Sequence, residues 1–319
     1  MILMAIVQKA EGQEEKGRLF SRIRSYCLFV PLIYLYTAIM GSLSLLSSFF
    51  DRDGRIQHWF AVHWAKMILT TACVRVHVEG EQHINPSQAA VYAANHLSAL
   101  DIPVLYSCLP GQFRIMAKRE LFSYPFMGWH LTRSGQIPIE QGDARASLRS
   151  LNRASGSLRK GMPLAIFPEG GRSPHGRMRD FMGGAFYMAI KAQAPVVPII
   201  IVGTYELLPM NNFHLRPGKV QMIIGEPIPT EGMVPRQMEE LSARVHQIMS
   251  DIYYSRSSIR APQQDPIPVS SVIPSVATAV SGVEVEPFCR REPERSDRQE
   301  SAGEILSEVE GNHGRERMN

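Results

Sequence analysis

Cysteine is scarce in this 319-residue chain, and what there is argues against two common architectures. Cys27, Cys73, Cys108 and Cys289 lie far apart, with no C-x-x-C pair and no histidine at ligand spacing. That speaks against a disulfide framework and against a structural zinc site, and it fits a reducing compartment. The phosphate-loop, G-x-G-x-x-G and G-x-S-x-G patterns are also missing, which lowers the claim of nucleotide-binding and serine-hydrolase chemistry. Charge is missing from one long stretch. Residues 25 to 50, "SYCLFVPLIYLYTAIMGSLSLLSSFF", carry no ionisable acid or base of the Asp, Glu, Lys or Arg type. As a helix this run measures about 39 Å, enough to cross a hydrocarbon core of about 30 Å. It comes too late, and behind too many acidic residues, to be a secretory signal.

Arg18, Arg22 and Arg24 precede the run and favour an N-terminus on the cytoplasmic side. Arg52 and Arg55 follow it, so the asymmetry is small, and a helix embedded in one leaflet is the other reading. The next segment, Ile56 to Ala72, places Trp59, Phe60, Trp64, Met67 and Ile68 on much of one helical face. The expectation is a pair of helices, residues 25–72, on or in the bilayer, after an N-terminal polar segment, residues 1–24; a second helix that packs on the core is the competing reading.

What is present elsewhere is unevenly spread. From Gly111 to Asp180 there are twelve Lys and Arg against five Asp and Glu. A basic middle suits an anionic partner. From Val74 onward, short apolar runs at 89–95, 113–118, 163–167, 196–203 and 219–225 read as strands. Helices are expected over 143–160, 184–194 and from Pro235 to about Tyr254. Alternating strands and helices predict an α/β layered domain, a mixed sheet flanked by helices, over residues 73–255. Pro198 interrupts the most apolar run and suggests an edge strand or a bend. Residues 256–319 are rich in Pro, Ser and acidic residues and read as a disordered tail.

Two constellations bear chemistry. In "NHLSALD", residues 95–101, the apolar run ends in Asn95 and His96, and Ser98 to Asp101 has capping-box spacing for a helix start. Five residues apart on a helix, His96 and Asp101 would point in different directions. They meet only if the chain turns between them, which a strand, loop and helix start allows. Asp101 can then fix the tautomer of His96 and leave its other nitrogen as a general base. In "FPEGGRS", residues 167–173, a buried strand delivers Glu169, two glycines and Arg172. Gly170 and Gly171 permit a sharp turn that exposes backbone N–H groups, and Arg172 offers a planar fork for a phosphate. Alone, this stretch also reads as a hairpin turn with a surface arginine.

Together, these stretches resemble the glycerolipid acyltransferases, the family that includes bacterial 1-acyl-sn-glycerol-3-phosphate acyltransferases. "NHLSALD" is similar to the family's Asn-His-x-Ser-x-x-Asp block and "FPEGGRS" to its Phe-Pro-Glu-Gly-x-Arg-Ser block. "GQIPIEQ" (135–141) and "VVPIIIVG" (196–203) stand where its second and fourth blocks lie. The resemblance implies transfer of an acyl chain from acyl-CoA or acyl-carrier protein to the sn-2 hydroxyl of 1-acyl-sn-glycerol 3-phosphate. It makes His96 the base, Asp101 its support, and Asn95, Ser98, Glu169, Gly170, Gly171 and Arg172 the acceptor-binding residues. It implies no metal and no cofactor beyond the acyl donor, no nucleic-acid partner, and a catalytic domain on the cytoplasmic face of a bacterial inner membrane. Two positions depart from the pattern. Glu140-Gln141 replaces Asp-Arg, and Met182 stands where relatives often have lysine. Both remove positive charge, which keeps a different lysolipid acceptor open, as well as a non-catalytic lipid-binding scaffold.

Overall fold

The computed structural model describes residues 19–51, 53–140 and 143–261. Arg18, Arg52, Gln141, Cys289 and the tail from 262 onward lie outside the described residues. Helix α1, Leu19–Ser47, is long and apolar enough to cross a membrane, and little of it is buried in the protein. It carries one π-helical turn at Ser25–Phe29. At its end, Asp51 accepts the backbone N–H groups of Arg55, Ile56 and Gln57 and starts helix α2, Arg55–Thr71. Trp64 on α2 donates its indole N–H to Thr37 on α1 at 2.8 Å.

Of the expected pair of helices, α1 alone is long and apolar enough to cross a membrane. Helix α2 is amphipathic: Ala65, Ile68 and Leu69 are buried against the domain, whereas Trp59 and Met67 are exposed. Its apolar residues are divided between the domain core and the surface, which helical spacing alone does not reveal.

Beyond α2 the chain alternates as expected. The strands are β1 (Val74–Glu79), β2 (Val91–Ala94), β3 (Arg114–Lys118), β4 (Ile137–Ile139), β5 (Leu164–Ile166), β6 (Val196–Val202) and β7 (Gly218–Ile224). Helices α3 (Asp101–Cys108), α4 (Met127–Arg133), α5 (Ala144–Arg159), α6 (Gly184–Ala192) and α7 (Met238–Arg256) intervene or follow. The strands form one seven-stranded sheet in the order β1-β7-β6-β2-β5-β3-β4. All neighbours are parallel except β6 and β7.

The central strands are buried on both faces, and successive residues serve opposite cores. Tyr92, Val197 and Ile199 pack with Ala65, Leu69 and Val104 from α2 and α3. Val91, Ala93, Val196 and Ile200 pack with Leu151, Phe186, Val245 and Tyr253 from α5, α6 and α7. Asp143 caps α5 through the N–H groups of Arg145 and Ala146, as its place before the periodic leucines suggests.

Pro198 overturns one expectation, because it lies in β6, between β7 and β2, and not on an edge. Val196 bridges to Ile228, and the pairing with β7 begins only at Ile199. The proline's missing N–H falls in the gap between these two, where its carbonyl still accepts Gly225 N–H at 2.8 Å. An interior proline costs little where the ladder is already interrupted.

Candidate active site at the carboxyl edge of the sheet

Strands β2, β3, β5 and β6 run in the same direction, so their carboxyl ends share one edge. Every residue singled out for chemistry sits in the turns just beyond that edge, where open α/β sheets place their ligands. Strand β2 ends in Asn95 and His96. Asn95 is fully buried and extends the ladder with its side chain, donating to Ile201 O at 2.9 Å and accepting Ile201 N–H at 2.7 Å. That pins the residue before His96 to β6.

The chain then turns into α3, and the turn is organised by Asp101. Its Oδ2 accepts the N–H groups of Leu97 (2.7 Å) and Ser98 (2.8 Å) and lies 2.9 Å from His96 Nδ1. Its Oδ1 accepts the Thr204 hydroxyl at 2.6 Å. Asp101 has no exposed surface. Four donors converging on one buried carboxyl group fix it in place. The expected cap by Ser98 is not met, because α3 begins at Asp101 with Leu100 as its N-cap; the Ser98 hydroxyl instead braces the turn, accepting Leu100 N–H and donating to Leu208 O.

His96 is oriented from three further sides. Its ring stacks on Phe167 with centroids 4.0 Å apart. Its N–H donates to Glu169 Oε1 at 2.7 Å, and its carbonyl accepts Ser173 N–H at 2.9 Å. The two sequence blocks thus grip one residue. With Nδ1–H directed at Asp101, Nε2 is left as the acceptor on a side chain that is 14% exposed.

Glu169 takes a different place from the one its motif suggests. It is 3% exposed, and its other oxygen accepts Arg179 N–H at 3.0 Å. Burial pushes its carboxyl up to about 8, against the opposing pull of the His96 and Arg179 N–H groups. It joins loops from behind, as Asn95 and Ser98 do. Gly170 adopts the left-handed conformation, φ 68°, that completes the turn. A Cβ placed on Gly171 would lie 3.3 Å from Arg179 Nη1 and 4.0 Å from Lys118 Nζ. These cations meet the open side of the glycine turn, close in sequence to the half-buried Arg172. Arg179, Lys118, Thr204 and the stacking role of Phe167 were not singled out from sequence. Only the basic run "RMRD" after the glycines offered any sign of Arg179. Glu140, in the second block, pairs with Arg119 at 2.9 Å.

An acyltransferase family model matches residues 75–202, a span that contains both motif blocks. A 1-acyl-sn-glycerol-3-phosphate acyltransferase of Chlamydomonas reinhardtii is 35% identical over 64% of this chain and 61% of its own length. A chloroplastic enzyme of the same name from Arabidopsis thaliana is 35% identical over 67% and 62%. The human alpha form is 33% identical over 56% and 64%. The chain thus spans less than two thirds of the length of these relatives. The crystal structure of the 1-acyl-sn-glycerophosphate acyltransferase from Thermotoga maritima is similar with a TM-score of 0.60 and 29% identity, covering 72% of this chain and 95% of that one.

Proposed function

We propose that residues 75–202, which an acyltransferase family model matches, form an acyltransferase domain, and that the chain is a membrane-bound enzyme that acylates the sn-2 hydroxyl of 1-acyl-sn-glycerol 3-phosphate. The donor is a thioester, acyl-CoA or acyl-carrier protein, and the product is phosphatidate. The observation that carries this reading is the 2.9 Å contact of His96 Nδ1 with a fully buried Asp101, which leaves Nε2 facing outward at the sheet's carboxyl edge.

His96 Nε2 takes the proton of the acceptor hydroxyl as its oxygen attacks the thioester carbonyl carbon. Asp101 keeps Nδ1–H in place and balances the imidazolium that forms. The tetrahedral intermediate collapses by breaking the carbon–sulfur bond, and the departing thiolate recovers the proton from His96. A thioester is already activated, so a positioned base and a held acceptor complete the chemistry. Lys118, Arg172 and Arg179 supply cations for the acceptor's phosphate, which fixes the hydroxyl relative to His96. Lys118 and Arg179 also offer positive charge near a site whose second block has lost its arginine. Helix α1 gives the domain a hold on the bilayer, where a one-tailed substrate and a two-tailed product reside.

The test is acyl transfer by isolated membranes or detergent-solubilised protein, using labelled acyl donor and a panel of lysolipids. Incorporation into lysophosphatidate is expected, with loss in His96→Ala. Incorporation that persists in that variant sinks the mechanism. Equal rates with acceptors whose phosphate is capped by a further head group would move the reading to a different lysolipid.

A further inference from the structure

The head of α1 carries a second cluster that acyl transfer does not use. Ser21 Oγ lies 3.0 Å from His214 Nε2. Ser25, in the π-helical turn, donates to Phe213 O at 2.9 Å and accepts Leu215 N–H at 2.8 Å. These bonds clamp the segment before β7 onto α1, and the charges of Arg216, Arg22 and Arg24 all act on the buried His214. Burial first, and then the charges of Arg216, Arg22 and Arg24, push the His214 imidazole below its ordinary range, which disfavours a further positive charge there. Arg22 and Arg216 are exposed. Arg24 Nε is buried without a hydrogen-bond partner, and its guanidinium lies 5.0 Å from the Phe29 ring. Among the described residues, none of the ion pairs includes any of the three arginines.

Leu19, Phe20, Ile23 and Phe213 in the same region are each more than half exposed. Unpaired cations beside large exposed apolar side chains suit a surface that is negative outside and apolar beneath. A free phosphate would answer the charge but leave the apolar residues in water. We propose that Arg22, Arg24 and Arg216 form a recognition site for the headgroup phosphates of an anionic bilayer, with Leu19, Phe20, Ile23 and Phe213 entering the lipid beside them.

The clamped segment is continuous with the catalytic edge. Thr204 holds Asp101, and Leu208 O accepts the Ser98 hydroxyl. Anionic headgroups at this site would therefore be gathered one loop away from His96. Binding would hold whatever reaction His96 performs.

Flotation of the full chain with phosphatidylcholine vesicles, and with vesicles that also contain phosphatidylglycerol, tests the site. Each arginine near an anionic surface is worth about fivefold in partition. The wild type is expected to favour the mixed vesicles, and added salt to erode that preference. R22Q/R216Q should lose on the order of twentyfold toward mixed vesicles, with unchanged partition into phosphatidylcholine. R22K/R216K should keep the preference, which separates charge from shape. Both glutamines replace exposed side chains, and their unaltered melting temperature verifies the fold. Equal wild-type partition into the two vesicle types overturns the proposal, as does an undiminished preference in R22Q/R216Q. Acyl transfer in detergent is read alongside: an inactive wild type would count against the proposed reaction and leave the vesicle result standing.

Discussion

His96 and Asp101 are joined through an oxygen that also receives two backbone N–H groups: Asp101 Oδ2 lies 2.9 Å from His96 Nδ1 and accepts Leu97 and Ser98 at 2.7 and 2.8 Å. The same atom that orients the base also shapes the turn that brings the base within reach. Local conformation and chemistry are therefore inseparable here, and substitutions should show both effects.

Asp101→Asn is expected to lower acyl transfer by about 10²–10⁴-fold, the range a positioned base contributes. An amide turned so that its N–H₂ meets Leu97, Ser98 or Thr204 leaves buried donors without acceptors, at about 1–3 kcal/mol of stability. Parallel rate measurements and thermal melts read the two costs. Wild-type activity in this variant would remove Asp101 from the mechanism.

Thr204→Val deletes one of the four donors with little change of shape. A drop of about 0.5–1.5 kcal/mol in stability is expected, typical of a single hydrogen bond. The loss of rate should be smaller than for Asp101→Asn, because His96, Leu97 and Ser98 still hold the carboxylate. A loss equal to that of His96→Ala would instead place Thr204 in contact with substrate.

Lys118→Met and Arg179→Gln, with Arg172→Gln, ask whether the cations at the glycine turn hold the phosphate. Each removal should cost about 1.5–3 kcal/mol of charge-assisted bonding, or roughly tenfold to hundredfold in kcat/KM for lysophosphatidate. The effect should vanish for an acceptor analogue without a phosphate. Similar losses with both acceptors would show that these residues act elsewhere.

Glu169 sets a pH dependence of known sign. Its folded carboxyl is raised to about 8, above its ordinary value of 4.5. Between those values the folded chain keeps a proton that the unfolded chain has released, so stability falls as pH rises through that window. Melting temperature should decline from about pH 5 to about pH 8, with its steepest loss above the ordinary carboxyl range. Glu169→Gln should flatten the decline while lowering the whole curve, since its amide nitrogen must face either His96 N–H or Arg179 N–H. An unchanged slope would assign the dependence to another group.

Five of the seven strands and the larger helices were legible in sequence because they carry apolar runs or periodicity and clear boundaries, as Asp143 gives at the start of α5 and Pro195 after α6, whereas β1 and the three-residue β4 were not read as strands. The His96–Asp101 pairing was legible because strand, turn and helix start are all local. Thr204 and Lys118 were not, since each reaches the site only through sheet order, and Arg179 folds back within the β5–α6 loop with no motif to mark it. The resemblance places Glu169 among the acceptor-binding residues, and a motif match does not tell that its side chain is buried under the turn. Pro198 misled because the proline rule concerns free ladder positions, and the gap it occupies exists only once Ile228 and β7 are placed. Of the α2 residues singled out for lipid, Ile68 is buried in the core whereas Trp59 and Met67 are exposed, a division that their spacing does not reveal.

The sheet order also bears on the timing of synthesis. Strand β1 pairs with β7, so Val74 meets Gly218 across nearly the whole described domain. During translation, α1 leaves the ribosome long before β7 exists, and β1 waits without a neighbour for most of elongation. A helix long and apolar enough to cross a membrane is thus complete before the domain behind it closes. Late pairing of distant strands is slow and leaves apolar edges open to misassociation. If α1 engages a bilayer at that stage, the nascent chain passes through the interval with its open edges confined near one surface.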